Sequence, residues 1–296
     1  NTRNCVERKT YNVISLYKGD VMNIQRLFER IMSFLTWTAA LMSIGTLIYL
    51  VGFILVKGIP YIKPSLFSFT YNSENVSLMP ALISTVMMTL LSLLIAVPLG
   101  VFAAIYLTEY AGRGNNAVSV IRITAETLSG IPSIVYGLFG LLFFVTYLGW
   151  GFSLLAGAFT LAIMILPLIM RSSEEALKAV PDIYREGAFG LGAGKLRTVF
   201  KIVLPSAMPG IFAGIILAIG RITGETAALI YTAGTVAQIP ENPMMSARTL
   251  SVHMYALSGE GLHTNEGYAT AVVLLLVVVL INTLSAKIAR RIGVSA

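Results

Sequence analysis

Long apolar runs fill most of this sequence and restrict the folds that are open to it. About six runs reach the roughly twenty residues that a helix needs to cross a hydrocarbon layer of about 30 Å. Hydrophobic residues make up 56% of the chain and charged residues 12%, whereas roughly a quarter of a soluble domain is charged. We therefore predict an all-α, polytopic membrane protein with about six transmembrane helices, because helices satisfy their backbone hydrogen bonds internally in lipid.

The apolar runs and the polar stretches between them divide the chain into predicted segments. We predict a cytoplasmic N-terminal segment over residues 1–30, a first transmembrane helix over 31–56 and a transmembrane domain over 79–292. Within this domain the predicted elements are spans at 79–107, 129–149, 154–171 and 268–286, a span from after Pro209 to about Tyr231, a boundary helix at 117–128 and an exterior loop at 236–266.

Lysine and arginine are distributed unevenly between the two predicted sides of the membrane. From Arg26 onward, three of them lie in exterior segments, namely Lys57, Lys63 and Arg248. Thirteen lie in interior segments, namely Arg26, Arg30, Arg113, Arg122, Arg171, Lys178, Arg185, Lys195, Arg197, Lys201, Lys287, Arg290 and Arg291. Because basic residues concentrate in cytoplasmic loops, this bias predicts cytoplasmic N and C termini and an even number of spans.

The sequence gives no sign of metal, redox or ATP chemistry within the chain. Cys5 is the one cysteine, and His253 and His263 are too far apart in sequence to suggest a metal cluster. No Gly-Lys-Ser/Thr phosphate loop occurs, and no nucleophile, base and orienting group converge recognisably. We therefore predict a non-catalytic subunit without its own cofactor, so that any ATP hydrolysis is carried out by a separate subunit.

A charged, glycine-bearing island at residues 172–205 separates two long apolar runs and predicts a helix-turn-helix. Pro181 and Asp182 suit the start of a short helix, since proline is pre-set there and an acid faces the positive end of the helix dipole. Gly192 predicts its end, because glycine adopts the left-handed cap conformation without steric cost. A second helix is predicted to follow and to stop at Pro205. The helix pair would have a basic rim of Arg185, Lys195, Arg197 and Lys201.

The spacing within this island matches a known motif. Glu186-Gly187-Ala188 is followed after three residues by Gly192, and after nine more by Ile202-Val203-Leu204-Pro205. This pattern resembles the EAA loop of ABC-importer permeases, with Gly187 where alanine is usual. The resemblance implies the type I ABC-importer permease fold and a loop that docks on a separate ATPase subunit through Glu186, Gly187, Ala188, Gly192, Ile202, Leu204 and Pro205. The alternative is an amphipathic helix pair that its basic rim holds in the headgroup layer.

The resemblance extends from the second predicted span to the C terminus and is closest to the permeases of phosphate importers. Residues 106–110, 132–139, 167–175 and 218–231 carry it, although Ala228 stands where proline is expected. It implies inorganic phosphate as the substrate, a second permease subunit, two ATPase subunits that bind ATP and magnesium, and an external phosphate-binding protein. It also implies a bacterial plasma or inner membrane location and transport by alternating access.

Charged residues in the fifth predicted span are candidates for an anion path. Arg221 and Glu225 are four residues apart, so they would share one face of a helix and form an ion pair. An arginine within a span costs about 2.5–3.5 kcal/mol on insertion scales and should face a cavity or a partner charge. We predict that Arg221 binds the anion transiently, that Glu225 weakens its hold, and that Thr223 and Thr226 donate hydrogen bonds. The alternative is a structural ion pair that locks the span in place.

Arg171 ends the fourth predicted span and is a candidate for an inner station on the same path. Its place just inside the membrane and the resemblance support this role. The alternative is an anchor whose charge reaches the lipid headgroups on the cytoplasmic side.

Two other functions remain open from the sequence. A permease of the same architecture would carry another oxyanion, such as sulfate or molybdate. An ion-coupled secondary transporter or channel would need no ATPase, but the spacing from Glu186 to Pro205 has no role in such a protein.

Overall fold

A computed structural model describes residues 2–111 and 116–294, with side chains over 28–111 and 116–287. These residues are largely helical and form no β-strand, which confirms the predicted all-α fold for this part of the chain. The α-helices are α1 Thr2–Gly58, α2 Met79–Ile105, α3 Asn116–Ser129, α4 Ser133–Gly140, α5 Leu154–Lys178, α6 Asp182–Gly190, α7 Lys195–Thr198, α8 Leu204–Thr223, α9 Ala227–Ile230, α10 Leu250–Glu260 and α11 Thr264–Val294. The side chains of most of the predicted segment 1–30, and those of Arg113, Arg290 and Arg291, lie outside the described residues.

Between Val56 and Lys57 the chain divides into two compact units. The described residues of the first unit all belong to helix α1, whose apolar part belongs to a candidate membrane span, Phe28–Tyr61. Four further candidate spans lie in the second unit, at Met79–Tyr110, Leu154–Lys178, Lys195–Thr223 and Thr264–Lys287. These make five candidate spans among the described residues, or six if a bent pair of helices is counted as one span, in agreement with the prediction of about six.

This bent pair consists of α3 and the segment that begins with α4. The helices Asn116–Ser129 and Ser133–Tyr147 bend by 101° at the break between them. The predicted boundary helix at 117–128 corresponds to α3, and the helix Ser133–Tyr147 lies within the predicted span at 129–149 but is shorter than that span, because it begins after the break. Pro132 explains the break, because its ψ is 141°, it has no N–H to donate, and it disfavours helical geometry at the residue before it.

Helix α5 lies at the centre of the second unit and packs against α2, α3, α4 and α8. Helices α2 and α5 approach each other closely at positions where one of the two contacting residues is a glycine. Gly100 of α2 faces Ile169 of α5, and Gly157 of α5 faces Met88 of α2. Such close contacts stabilise helix pairs in lipid, where the hydrophobic effect no longer drives helices together.

Helix α4 makes close contacts at Gly137 and Gly140. A Cβ atom placed on Gly137 would lie 2.8 Å from the Cα of Ala228 in α9. A Cβ atom on Gly140 would collide with the side chains of Thr160 and Thr232. Both glycines therefore allow α4 to pack directly against its neighbours.

We expect Gly137→Leu to destabilise the folded chain, because the atom that the new side chain meets belongs to the rigid backbone of Ala228. Overpacking of this kind costs about 1–3 kcal/mol. The measurement is the thermal unfolding midpoint of the purified protein in mild detergent. Gly130→Leu is the control, since a Cβ there meets only the carbonyl of Thr127, at an ordinary 3.5 Å. Equal midpoints for the two variants would contradict this account of α4.

The predicted exterior loop at 236–266 contains a buried helix, so that part of the prediction is wrong. Leu250, Val252 and Leu257 of α10 are almost completely buried. The backbone N–H of Leu250 donates to the Thr85 hydroxyl at 2.8 Å, which ties the start of α10 to α2. Pro240, Pro243 and Glu241 before this short helix and Glu266 after it obscured the helix in the sequence.

Candidate functional site

The coupling island folds as the predicted helix-turn-helix. Helix α6 begins directly after Pro181, and Gly192 has a φ of +79°, the left-handed conformation predicted for it. The N–H of Gly192 donates to the carbonyl of Phe189 at 2.9 Å, and the N–H of Ala193 donates to that of Ala188 at 3.0 Å. These bonds close the turn between α6 and α7.

The second helix of the island does not stop at Pro205, contrary to the prediction. Helix α7, a π-helical turn at Val199–Val203 and α8 form one continuous segment, Lys195–Thr223. The N–H of Leu204 donates to the carbonyl of Val199, five residues back. The wider turn directly precedes Pro205, and the helix continues through this proline although it has no N–H to donate.

Residues of the predicted docking motif differ in how much of them is accessible. Glu186, Gly187 and Gly192 are exposed, whereas Ile202, Leu204 and Pro205 are half-buried. Ala188 is buried within the chain, so it holds the hairpin together and does not form an open contact surface. Large apolar side chains surround the exposed motif residues, namely Ile183, Phe189, Leu191 and Leu196. Leu191 at the turn is 91% exposed.

The predicted basic rim is only partly correct. Lys195, Arg197 and Lys201 are exposed, and the Lys195 ammonium lies 5.1 Å from the centre of the Tyr110 ring. Arg185 is instead turned inward, with a side chain only 16% exposed, and forms an ion pair of 2.7 Å with Glu109. The hydrogen bonds to Glu109 raise the pKa of Arg185 above its ordinary value. In the sequence, Glu109 stands out as an acidic residue at the end of the second span, but no sequence pattern connects Glu109 with Arg185.

Arg171 lies at the edge of a cavity of about 550 Å³ between α3 and α5. Its side chain is 60% exposed, and its guanidinium is 3.2 Å from Glu175 and 3.8 Å from Glu126. Three basic and three acidic residues line the cavity, namely Arg122, Arg171, Lys178, Glu126, Glu174 and Glu175. The buried Glu174 binds Arg122 at 2.6 Å and Lys178 at 2.7 Å, a contact that the sequence analysis missed.

Arg221 and Glu225 do not form the predicted ion pair. Helix α8 ends at Thr223, with Gly224 as its cap, so the two residues do not share one helical face. The Glu225 carboxylate instead accepts a hydrogen bond of 3.1 Å from the N–H of Ala228, at the start of α9. Among the described side chains, none is bonded to the guanidinium of Arg221, which is half-buried at the end of α8.

The two threonines of the predicted path differ in their availability. Thr223 is buried, and its hydroxyl donates to the carbonyl of Ile219 within α8. The hydroxyl of Thr226 lies in the break between α8 and α9 and makes a long contact of 3.4 Å to the carbonyl of Gly224. Glu225 and Thr226 therefore lie in the break between α8 and α9, Arg221 lies in the last turn of α8, and Arg171 lies elsewhere, in the cavity between α3 and α5.

The hairpin, the packed helices and the polar break together define a membrane permease, and comparison with known proteins identifies its family. The chain belongs to the family described as binding-protein-dependent transport system inner membrane component, which matches residues 96–294. Members of this family are multi-pass subunits of ABC transporters.

Relatives of known name include phosphate permeases. The chain is 33% identical over 266 residues to the phosphate transport system permease protein PstA of Pasteurella multocida, covering 87% of this chain and 93% of that protein. It is 32% identical to a probable PstA of Methanocaldococcus jannaschii, covering 79% and 83%. It is 39% identical to the probable ABC transporter permease YqgI of Bacillus subtilis, covering 58% of this chain and 63% of that protein. The chain thus spans less than two thirds of the length of YqgI.

Solved structures show the same fold at low sequence identity. An inward-facing structure of the MetNI methionine ABC transporter has a TM-score of 0.57 at 21% identity, covering 72% of this chain and 93% of that one. A bacterial alginate ABC transporter has a TM-score of 0.63 at 16% identity, covering 87% and 95%. The predicted ABC-importer permease fold is thereby confirmed.

Proposed function

We propose that this chain is a transmembrane permease subunit of an ATP-driven importer of inorganic phosphate. The main support is the alignment with PstA of Pasteurella multocida, which extends over 87% of this chain. The guanidinium of Arg221, without a bonded partner among the described side chains, is a second support. Its planar fork of donors suits a phosphate oxyanion.

The proposed assembly contains a PstC-like second permease and two PstB-like ATPases, which bind ATP and magnesium. A PstS-like binding protein delivers phosphate from outside a bacterial plasma or inner membrane. The concentration of lysine and arginine in the predicted interior segments supports cytoplasmic termini and a cytoplasmic coupling hairpin.

Transport in this assembly proceeds by alternating access. ATP binding closes the ATPase dimer and draws the coupling hairpins together, so that the permease opens outward and receives phosphate. Hydrolysis returns the permease to the inward-open state. The hairpin suits this role because α7 continues through the π turn into α8, so movement of the hairpin reaches the helix break near Arg221.

The test is transport by the complete complex reconstituted in lipid vesicles with its own partner subunits. We expect uptake of radiolabelled phosphate that requires both ATP and the binding protein. Uptake of sulfate or molybdate in place of phosphate would overturn the proposed substrate. Uptake driven by an ion gradient without ATP would overturn the proposed mechanism.

We expect Arg171→Lys to lower phosphate uptake if Arg171 binds the anion at the cavity. A lysine keeps the charge but cannot donate two parallel hydrogen bonds from one planar group, and a charged hydrogen bond contributes about 1.5–3 kcal/mol. Uptake by the reconstituted complex is the measurement. Arg30→Lys, at an exposed position of α1 outside the hairpin, is the control for a change of arginine to lysine. Full uptake by Arg171→Lys would remove Arg171 from the path and assign it to anchoring.

A further inference from the structure

Arg185 of the coupling helix α6 bonds to four different residues. Its Nη2 atom donates to Glu109 at 2.7 Å and to the carbonyl of Leu177 at 3.0 Å. Its Nη1 atom donates to the carbonyl of Val180 at 2.8 Å and to Asp182 at 3.1 Å. Its Nε atom is a further 3.2 Å from Glu109. One guanidinium therefore joins the start of α6 to the end of α5 and to the inner end of the second span.

The contact with Glu109 is long-range in sequence and shielded from water. Glu109 lies in the π-helical turn Tyr106–Tyr110 that ends the second span, 76 residues before Arg185. The two side chains are only 8% and 16% exposed. Because a buried charge is costly without its partner, and because two donors of the fork face one carboxylate, this contact resists both separation and rotation.

The second span has no short chain connection to the coupling hairpin. The hairpin continues directly from α5 on one side and into α8 on the other. Among the described residues, the polar contacts between the end of the second span and the hairpin are those of Glu109 with Arg185 of α6 and of the Tyr110 ring with Lys195 of α7. Apolar residues around Ile105, Leu107 and Val203 form one buried cluster there. Apolar contacts fix no direction, so the ion pair is the contact that makes the end of α2 follow a movement of α6.

We propose that Arg185 is a positioning residue that makes the second span move with the coupling helix through Glu109. The inference rests on the proposed function and names a path by which movement driven by ATP enters the membrane domain. In this account α5, α8 and α2 all move with the hairpin, the first two through the chain and the third through Arg185. Loss of the pair leaves ATP hydrolysis in place but weakens its connection to transport.

Glu109→Gln tests the proposal, with Asp182→Asn as its control. Asp182 bonds to the same guanidinium, but it lies on α6 itself, so its removal leaves the connection to α2 intact. In reconstituted vesicles the measured quantity is radiolabelled phosphate imported per ATP hydrolysed. Coupling energies typically correspond to factors of about 5 to 150, and we expect this ratio to fall about tenfold in Glu109→Gln. We expect it to stay within about twofold of wild type in Asp182→Asn, since an exposed ion pair contributes little.

Arg185→Lys and Arg185→Gln provide a second comparison. A lysine keeps a positive charge beside Glu109 but cannot serve four acceptors, so we expect it to retain a higher ratio than glutamine does. A merely structural pair would change the yield of complex and leave the ratio alone.

The possible failures are distinguishable. If the wild-type complex imports phosphate and Glu109→Gln keeps the wild-type ratio, the role of Arg185 is refuted and the proposed function stands. Failure of Glu109→Gln to assemble, when Asp182→Asn assembles, would assign the pair to folding and also refute the role. A wild-type complex that hydrolyses ATP without importing phosphate would refute the proposed function itself.

Discussion

Gly192→Trp is expected to abolish phosphate uptake while the permease still inserts and folds. Gly192 has a φ of +79°, and a Cβ placed on it meets nothing within 4 Å. The chain itself therefore has room for the indole, and the folded state loses only about 1–2 kcal/mol from left-handed geometry. Gly192 stands beside the exposed Leu191 on the surface proposed to dock on the ATPase. A large side chain there blocks the contact, and we expect the same of Gly192→Glu.

Binding of the ATPase is the direct measurement, by co-purification in mild detergent, with uptake in vesicles beside it. Gly149→Trp is the matched control, since Gly149 also has a positive φ, of +69°, and open space around its Cβ. It lies in the turn before α5, outside the hairpin, so ATPase binding should persist. Gly192→Asn separates bulk from strain, because asparagine tolerates left-handed geometry and should keep most of the activity. Normal uptake by Gly192→Trp would show that the hairpin does not dock as proposed.

The double substitution Arg221→Gln with Glu225→Gln is expected to eliminate phosphate uptake and to spare the fold. A glutamine at 225 still offers an oxygen to the N–H of Ala228, so the start of α9 keeps its hydrogen bond. A glutamine at 221 removes a charge for which the structure shows no bonded partner among the described side chains, so no opposite charge is left stranded. Phosphate, however, loses its cationic contact. A charged hydrogen bond is worth about 1.5–3 kcal/mol, and each 1.4 kcal/mol is tenfold, so two such bonds correspond to a loss of at least about 100-fold.

Uptake and ATP hydrolysis are measured together on the reconstituted double variant. We expect hydrolysis to continue without phosphate import, and Glu225→Gln alone to retain more uptake than the double variant. Thermal unfolding in detergent verifies that the fold is intact. Wild-type uptake by the double variant would show that neither charge acts on the substrate.

The number of spans and the coupling hairpin could be predicted because their determinants are local. A run of apolar residues specifies a span by its length alone, and Pro181 and Gly192 specify a helix start and a left-handed turn through their own backbone preferences. The hairpin therefore agrees with the sequence in its start and its turn. The predicted end of its second helix is wrong, because the π turn before Pro205 lets the helix continue through a proline, a residue that normally ends a helix.

The predicted ion pair of the anion path is absent because the prediction assumed a continuous helix. The spacing of Arg221 and Glu225 indicates a shared face only within an unbroken helix, and Gly224 ends the helix between them. The ion pair of Glu109 with Arg185 could not be predicted from the sequence, for a different reason. It joins residues far apart in sequence, and only the packing of the second span against the coupling helix brings them together.

The π turn at Val199–Val203 adds a requirement on chain length that no single side chain reveals. Each residue of an α-helix turns it by about 100° and advances it by about 1.5 Å. Deletion of one residue from this turn would restore ordinary α geometry and rotate the hairpin by about 100° around the axis of α8, with little change in its distance from the membrane. The count of residues in the turn therefore sets the direction in which the hairpin faces the proposed ATPase, so we expect a deletion there to disrupt docking even where every remaining side chain is unchanged.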